Sequence, residues 1–421
     1  MIRTSREVLV TSDNSGDIWS ASVWDPSTGS LLMTYRNPSV IKHHCVDILG
    51  ESYMLAADVE KSRLYFWALN SQIPVSSLSS STPGKVSALA CAPNGHYVVA
   101  ATNENIHVWQ TSTGKLLRTF SSHYQAVTCL TFSSDSSRFC SGGEDSLVFL
   151  WGLTSVMDDK KHATHIHKFT HHTGPVKDLY LGNFGQQARL VTVSLDRTAR
   201  IYDTCVGTLL LTLIFDAPLT SVCMDVIECN LFVGCVDGNI RQFEMRNPPR
   251  NLEYHVSEQK NGIVFKGHTG SVTKLSVSAN CITLVSASAD GNVNLWDIPS
   301  QQITRTFTLK GPAVTAMLTP AYPNYHLDKL KPRILVRSFQ NTTGSHKGDN
   351  VLEILNEVSV SELLNPECYL KSNRSVDRDD DAKAKLMESI AENKRLIKIN
   401  ADLYNNLVKN LMSPKTNGLS N

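Results

Sequence analysis

The stretch FKGHTGSVTKLSVSANCITLVSASADGNVNLWD, residues 265–297, decides the fold. Three runs within it, SVTKLSVS, TLVSASA and NVNLWD, alternate apolar and polar residues, and Asp290-Gly291 makes the turn between the last two. Alternation of period two, bounded by Gly, Asn and Asp, marks half-buried antiparallel strands. Gly267-His268 opens the stretch and Trp296-Asp297 closes it.

That opening and that close, a few dozen residues apart, match the WD-repeat blade of a β-propeller. His268, Ser286, Asp290 and Trp296 then read as a buried hydrogen-bond chain. Asp holds one imidazole nitrogen, the Ser hydroxyl meets the other, and the indole N–H donates to the hydroxyl. Each member satisfies a neighbour, so none is an orphaned buried polar group. Two more repeats carry the set: His123, Ser141, Asp145 and Trp151, and His172, Thr192, Asp196 and Tyr202. Asp, His and Ser are also the members of a hydrolase triad. Their recurrence as a repeat unit assigns them to structure instead.

Working outward, an apolar strand ending in an aromatic recurs seven times, at Trp24, Trp67, Trp109, Trp151, Tyr202, Phe243 and Trp296. The intervals are 43, 42, 42, 51, 41 and 53 residues. Four match the propeller period, and the two long ones require inserted rim loops, at 154–168 and 247–261. The third repeat has Asn103 at the turn Asp and Val99 at the hydroxyl position. The sixth keeps Asp237-Gly238 without a His. EVLVTS, WSASVWD and SLLMTYR supply three strands of a first blade, and AVTAMLT (313–319) is predicted to supply the fourth. Such pairing of the two ends removes the open sheet edges. PRILVRSF (332–339) reads as another strand, either joining that blade or packing outside it. The expectation is an all-β, seven-bladed WD-repeat β-propeller over residues 1–340.

Residues 341–378 read as a linker, and 379–413 as a C-terminal α-helix capped by Asp379-Asp380-Asp381 and ended by Pro414. Ile390, Ile397, Tyr404 and Leu411 alternate with Leu386, Asn393, Asn400 and Leu407 at coiled-coil spacing. The two Asn in this seam cost stability but fix register and partner number. The seam predicts a homodimer or a partner helix; packing back on the propeller is the alternative.

Lys+Arg 40 against Asp+Glu 39 gives a net charge of +1. No global field therefore favours nucleic acid or an anionic membrane. The ten cysteines form no CxxC pair, and several fall in apolar strand-like runs, which fits free thiols in a reducing compartment. The first residues lack a signal peptide's apolar core, and the greasiest run, 209–215, is too short to span a bilayer. A soluble intracellular protein without membrane contact is expected.

KKHATHIHKFTHH brings His162, His165, His167, His171 and His172 close in sequence. Zinc wants a fixed tetrahedron, commonly with Cys or carboxylate help. With His172 committed to its blade, a pH-sensitive loop is expected there rather than a metal. Gly142-Gly143 and Gly182 with Gly185 lack the Lys-Ser/Thr and helix of a phosphate loop. No cofactor and no catalysis are predicted.

Several segments together resemble the WD repeat-containing protein 18 family, whose fungal counterpart is the WD-repeat subunit of the Rix-type ribosome assembly complex. The resemblance rests on SVWDPSTGSLLMTYR, APNGHYVVAATNENIHVWQTSTGKLL, SSHYQAVTCLTFSSDSSRFCSGGEDSLVFLW, VSLDRTARIYD, VFKGHTGSVTKLSVS and TFTLKGPAVTAML. In the tail it rests on ENKRLIKINADLYNNL; the HYQAV segment and the KINADL helix are the specific parts. Departures lie at 154–168, 247–261 and 340–376. The resemblance implies a nuclear and nucleolar scaffold acting in large-ribosomal-subunit maturation and internal-transcribed-spacer processing on the pre-ribosomal particle. It implies as partners a PELP/Rix-type helical-repeat scaffold, a further helical-repeat subunit, a SUMO protease and a midasin-type ATPase. It also implies self-association through the tail helix. The alternative reading is a substrate receptor of a cullin-type ubiquitin ligase. Such receptors often carry Arg two residues after Trp-Asp, where this chain has Ser27, Cys205 and Pro299.

Overall fold

The alternating runs become strands, and the strands assemble as seven sheets, the blades of a β-propeller. The computed structural model describes residues 7–341 apart from 16–18, 37–40, 59, 159–162, 247 and 257–262, and beyond these only Ala391, Arg395 and Lys398.

The innermost strands, from blade 1 to blade 7, are Ala313–Pro320, Val46–Leu49, Ala88–Cys91, Val127–Phe132, Val176–Leu181, Leu219–Met224 and Val272–Val277. Neighbouring inner strands touch from blade 2 through blade 7 and on to blade 1. The Tyr35 hydroxyl, donating to the Leu69 carbonyl at 2.9 Å, joins blade 1 to blade 2. Apolar clusters fill the gaps between adjacent blades; one joins Val191 and Ile201 of blade 5 to Leu219 and Val222 of blade 6. The core is therefore a ring of inter-blade interfaces.

The aromatic that marks each repeat ends the third strand of its blade, not the outermost. Trp151 closes Val148–Gly152, and His165–Phe169 lies outside it. Repeat and blade are out of phase by one strand, so the chain's two ends must share a blade. Glu7–Asp13 pairs antiparallel with Ala313–Pro320, Leu9 opposite Leu318 and Val10 opposite Met317.

The two insertions differ from plain loops. The first begins as the helical turn Leu153–Met157, with Leu153 and Val156 buried. The second supplies Glu253–His255, which pairs parallel to Leu209–Ile214 as a fifth strand of blade 5. Three residues are too few to show a period, which is why the sequence reads as a loop.

PRILVRSF forms no strand. After the turn Pro323–Tyr325, the chain runs extended as a strap across the rims of blades 2 and 3. The Ile334 side chain fills a cradle where Gly50 and Gly95 both have positive φ (+53° and +76°); an added Cβ would lie 2.7 Å from it at Gly95. The Arg337 and Gln340 amides donate to the Thr111 and Gly114 carbonyls at 3.0 and 2.8 Å. Phe339 stacks on Trp109 at 5.7 Å and meets Phe66 edge-on at 5.2 Å.

The linker and all eight seam positions, Leu386 to Leu411, lie outside the described residues. Ala391, Arg395 and Lys398 are helical and exposed; they occupy outward heptad positions and carry no information about the seam.

Candidate functional site

Five third-strand tryptophans each donate an indole N–H, to the same serine position in blades 4 and 7 and to other acceptors in blades 1, 2 and 3. In blade 4, Trp151 donates to Ser141 Oγ at 3.0 Å, Ser141 meets His123 Nε2 at 2.8 Å, and His123 Nδ1 lies 3.0 Å from Asp145 Oδ2. Blade 7 repeats this: Trp296 to Ser286 at 2.9 Å, Ser286 to His268 at 2.6 Å, and His268 to Asp290 at 3.2 Å. In blade 5, His172 meets Thr192 at 2.7 Å and Asp196 at 2.9 Å. There Tyr202 replaces the indole with a buried phenol, which makes no hydrogen bond of regular geometry although Thr192 and Arg200 stand beside it.

The other blades solve the problem differently. Trp24 donates to Thr11 Oγ1 at 2.9 Å, a hydroxyl thirteen residues upstream rather than ten. Strand register, not a fixed sequence spacing, brings the two together. In blade 3 the register places Ala100, not Val99, at the hydroxyl position, because the hairpin turn is one residue shorter than in blade 4. No side chain accepts there, and Trp109 donates to the Gln340 carbonyl of the strap at 2.8 Å. Blade 6 ends its strand with Phe243, which has no donor, and Asp237 holds the buried Arg241 instead, at 3.4 Å.

Burial pushes the Asp196 carboxyl up, but hydrogen bonds from His172, Thr198 and the Thr173 amide outweigh it and hold the group below the usual carboxylate range. Burial lowers His268 against the pull of Asp290. A neutral imidazole donating to an ionised carboxylate follows. Ser141, Thr192 and Ser286 have no exposed surface. Their hydroxyls are out of reach of a substrate, so these sets hold blades together and offer no nucleophile.

The predicted histidine loop is dispersed. His165 packs against the Phe149 and Trp151 rings, His167 lies beside the Cys205 carbonyl, and His172 sits in its network; His162 lies outside the described residues. No group of three or more metal-binding side chains occurs among the described residues.

A second polar constellation, not anticipated from the sequence, lines the central channel. Residues 41–45 cross it ahead of blade 2: His43 Nδ1 reaches the Val314 carbonyl at 3.1 Å, and His44 Nε2 the Lys177 carbonyl at 3.2 Å. The buried Asp178 takes Lys274 Nζ at 3.0 and 3.1 Å and the Val222 amide at 3.1 Å. Burial pushes His44 down to about 4, with Lys274 adding to the effect, so the imidazole is neutral. Above this layer opens a cavity of about 490 Å³, walled by His43, His44, Lys42, Lys85, Lys177 and Glu144 among others. It lies on the propeller face that carries the His–Asp turns.

The WD40 family model (WD domain, G-beta repeat) matches residues 72–110, 114–152, 163–203 and 259–297, each block ending with a third strand. The chain is 39% identical to WD repeat-containing protein 18 of Bos taurus over 82% of this chain and 80% of that one. It is 33% identical to the Danio rerio protein of that name over 94% and 96%. It is also 26% identical to the pre-rRNA-processing protein pro-1 of Caenorhabditis elegans over 77% and 64%. The chain therefore belongs to the WD repeat-containing protein 18 family.

Proposed function

We propose that this protein is a non-catalytic scaffold in maturation of the large ribosomal subunit, acting in pre-rRNA and internal-transcribed-spacer processing in the nucleus and nucleolus. The observation that carries the reading is family membership, joined by the similarity to a relative named for pre-rRNA processing. A rigid ring of blades with loops on both faces suits holding several partners at once. Its partners in this reading are a PELP/Rix-type helical-repeat scaffold, a further helical-repeat subunit, a midasin-type ATPase, a SUMO protease and the pre-ribosomal particle. The 379–413 helix pairs with a second copy through Ile390, Ile397 and Leu407, and two propellers per assembly then gain avidity for a symmetric scaffold.

Affinity purification of the full chain and of a form lacking residues 377–421 tests both parts. Ribosomal RNA precursors and helical-repeat proteins co-purify with the full chain in this reading. A purification dominated by a ubiquitin-ligase adaptor, without precursor RNA, overturns it. Ile397→Asp with Leu407→Asp halves the mass read by light scattering while the propeller's melting stays put; an unchanged mass removes the dimer.

A further inference from the structure

At the top of the inner strand, five blades carry the same β-bulge, at Thr128, Lys177, Thr220, Thr273 and Val314. The three threonines do the same work there. Each hydroxyl donates to the first inner-strand carbonyl of the next blade: Thr128 to Val176 at 2.6 Å, Thr220 to Val272 at 2.5 Å, Thr273 to Ala313 at 2.8 Å. Val314 and Lys177 both lack the hydroxyl: Val314 is apolar and meets His43 through its carbonyl, whereas Lys177, flanked on either side by blades that keep the threonine, brings a cation to the channel mouth. A position that breaks a local structural rule which its neighbours keep is where a functional demand is expected.

Lys177 has company. Lys42 and Lys85 line the same cavity, and among the described residues Glu144 is the one acid in its walls. Three cations against one anion leave a local charge of +2 at the mouth of a chain whose net charge is +1 overall. The deeper Lys274 is neutralised by Asp178, but these three lysines make no ion pair with a described residue. His43 and His44 beneath them are lowered by burial and add no charge at neutral pH. The volume, about 490 Å³, lies within the range of sites that enclose a small ligand or a few side chains. Lysine ammoniums act as point charges on phosphate and carboxylate oxygens, with no planar fork to prefer one over the other.

We propose that the channel mouth is a docking site for an anionic peptide segment of a partner protein, a phosphorylated side chain or a run of Asp and Glu, held by Lys42, Lys85 and Lys177. The site is independent of the ribosomal reading: either stands if the other fails.

The test is fluorescence anisotropy with the full chain in low-salt chloride buffer. The probes are three labelled decapeptides of one backbone (one with phosphoserine, one with three Glu, one neutral) and a decauridylate RNA. At least one anionic peptide binds and the neutral one does not, and binding weakens as salt rises. Which anionic peptide binds tighter tells phosphoryl from carboxylate recognition. Lys177→Thr, which installs the hydroxyl that blades 4, 6 and 7 use, weakens binding about tenfold or more while melting is unchanged or raised. Lys85→Gln weakens it in the same sense, and Glu144→Gln tightens it. The proposal falls if neither anionic peptide binds, if binding ignores Lys177→Thr and Lys85→Gln, or if the RNA binds tighter than both peptides with the same lysine dependence.

Discussion

His268 shows how much one buried side chain holds. Its two nitrogens tie the Asp290 turn to Ser286, and Ser286 in turn holds the Trp296 indole. His268→Ala orphans these partners, and a loss of about 1–3 kcal/mol in denaturant unfolding is expected. His107 has a different consequence. It sits 2.7 Å from Thr102 Oγ1 and 2.9 Å from Thr119 Oγ1 with no carboxylate partner, and burial pushes it down to about 4. Its folded-state value lies below its unfolded one, so the stability it confers is fully present above about pH 6.5 and is lost as pH falls toward 4. That loss is on the order of 3 kcal/mol. Thermal melting of His107→Gln falls less steeply across this window than that of the native chain. His44 has the same sign and keeps some slope in both; equal slopes count against the assignment.

The strap is the element whose removal is most telling. Phe339→Ala strips one ring from both Phe66 and Trp109 and costs about 3 kcal/mol. Gly95→Ala drives a methyl toward Ile334 and the Gly50 backbone and also destabilises, read as a lowered melting temperature. This element was legible as an apolar run but not as a rim-crossing strap. Its partner at Trp109 is a backbone carbonyl 231 residues away, which leaves no residue-type signature. The His–Ser–Asp sets were legible because three-residue hairpin turns keep Ser286 and Trp296 ten apart. Where turn length varies, as before Trp24 and Trp109, the same spacing points to the wrong residue or to none. The channel cluster was invisible for another reason: His44, Asp178 and Lys274 come from three distant segments, each ordinary in its own strand or loop.

For the whole molecule, closure rests on one antiparallel pairing between the ends. A chain stopped at residue 312 leaves Glu7–Asp13 without its inner neighbour and also takes the strap from blades 2 and 3. Unpaired strand edges recruit other chains; light scattering of 7–312 should show aggregation that 7–322, which keeps the inner strand and lacks the strap, avoids. The same pairing sets a schedule during synthesis. Asp13 waits for Ala313, some 300 residues downstream, or about 15–60 s at ordinary elongation rates. For that interval the first three strands are a sheet without their inner neighbour, so a chaperone that shields nascent strands should raise this protein's yield.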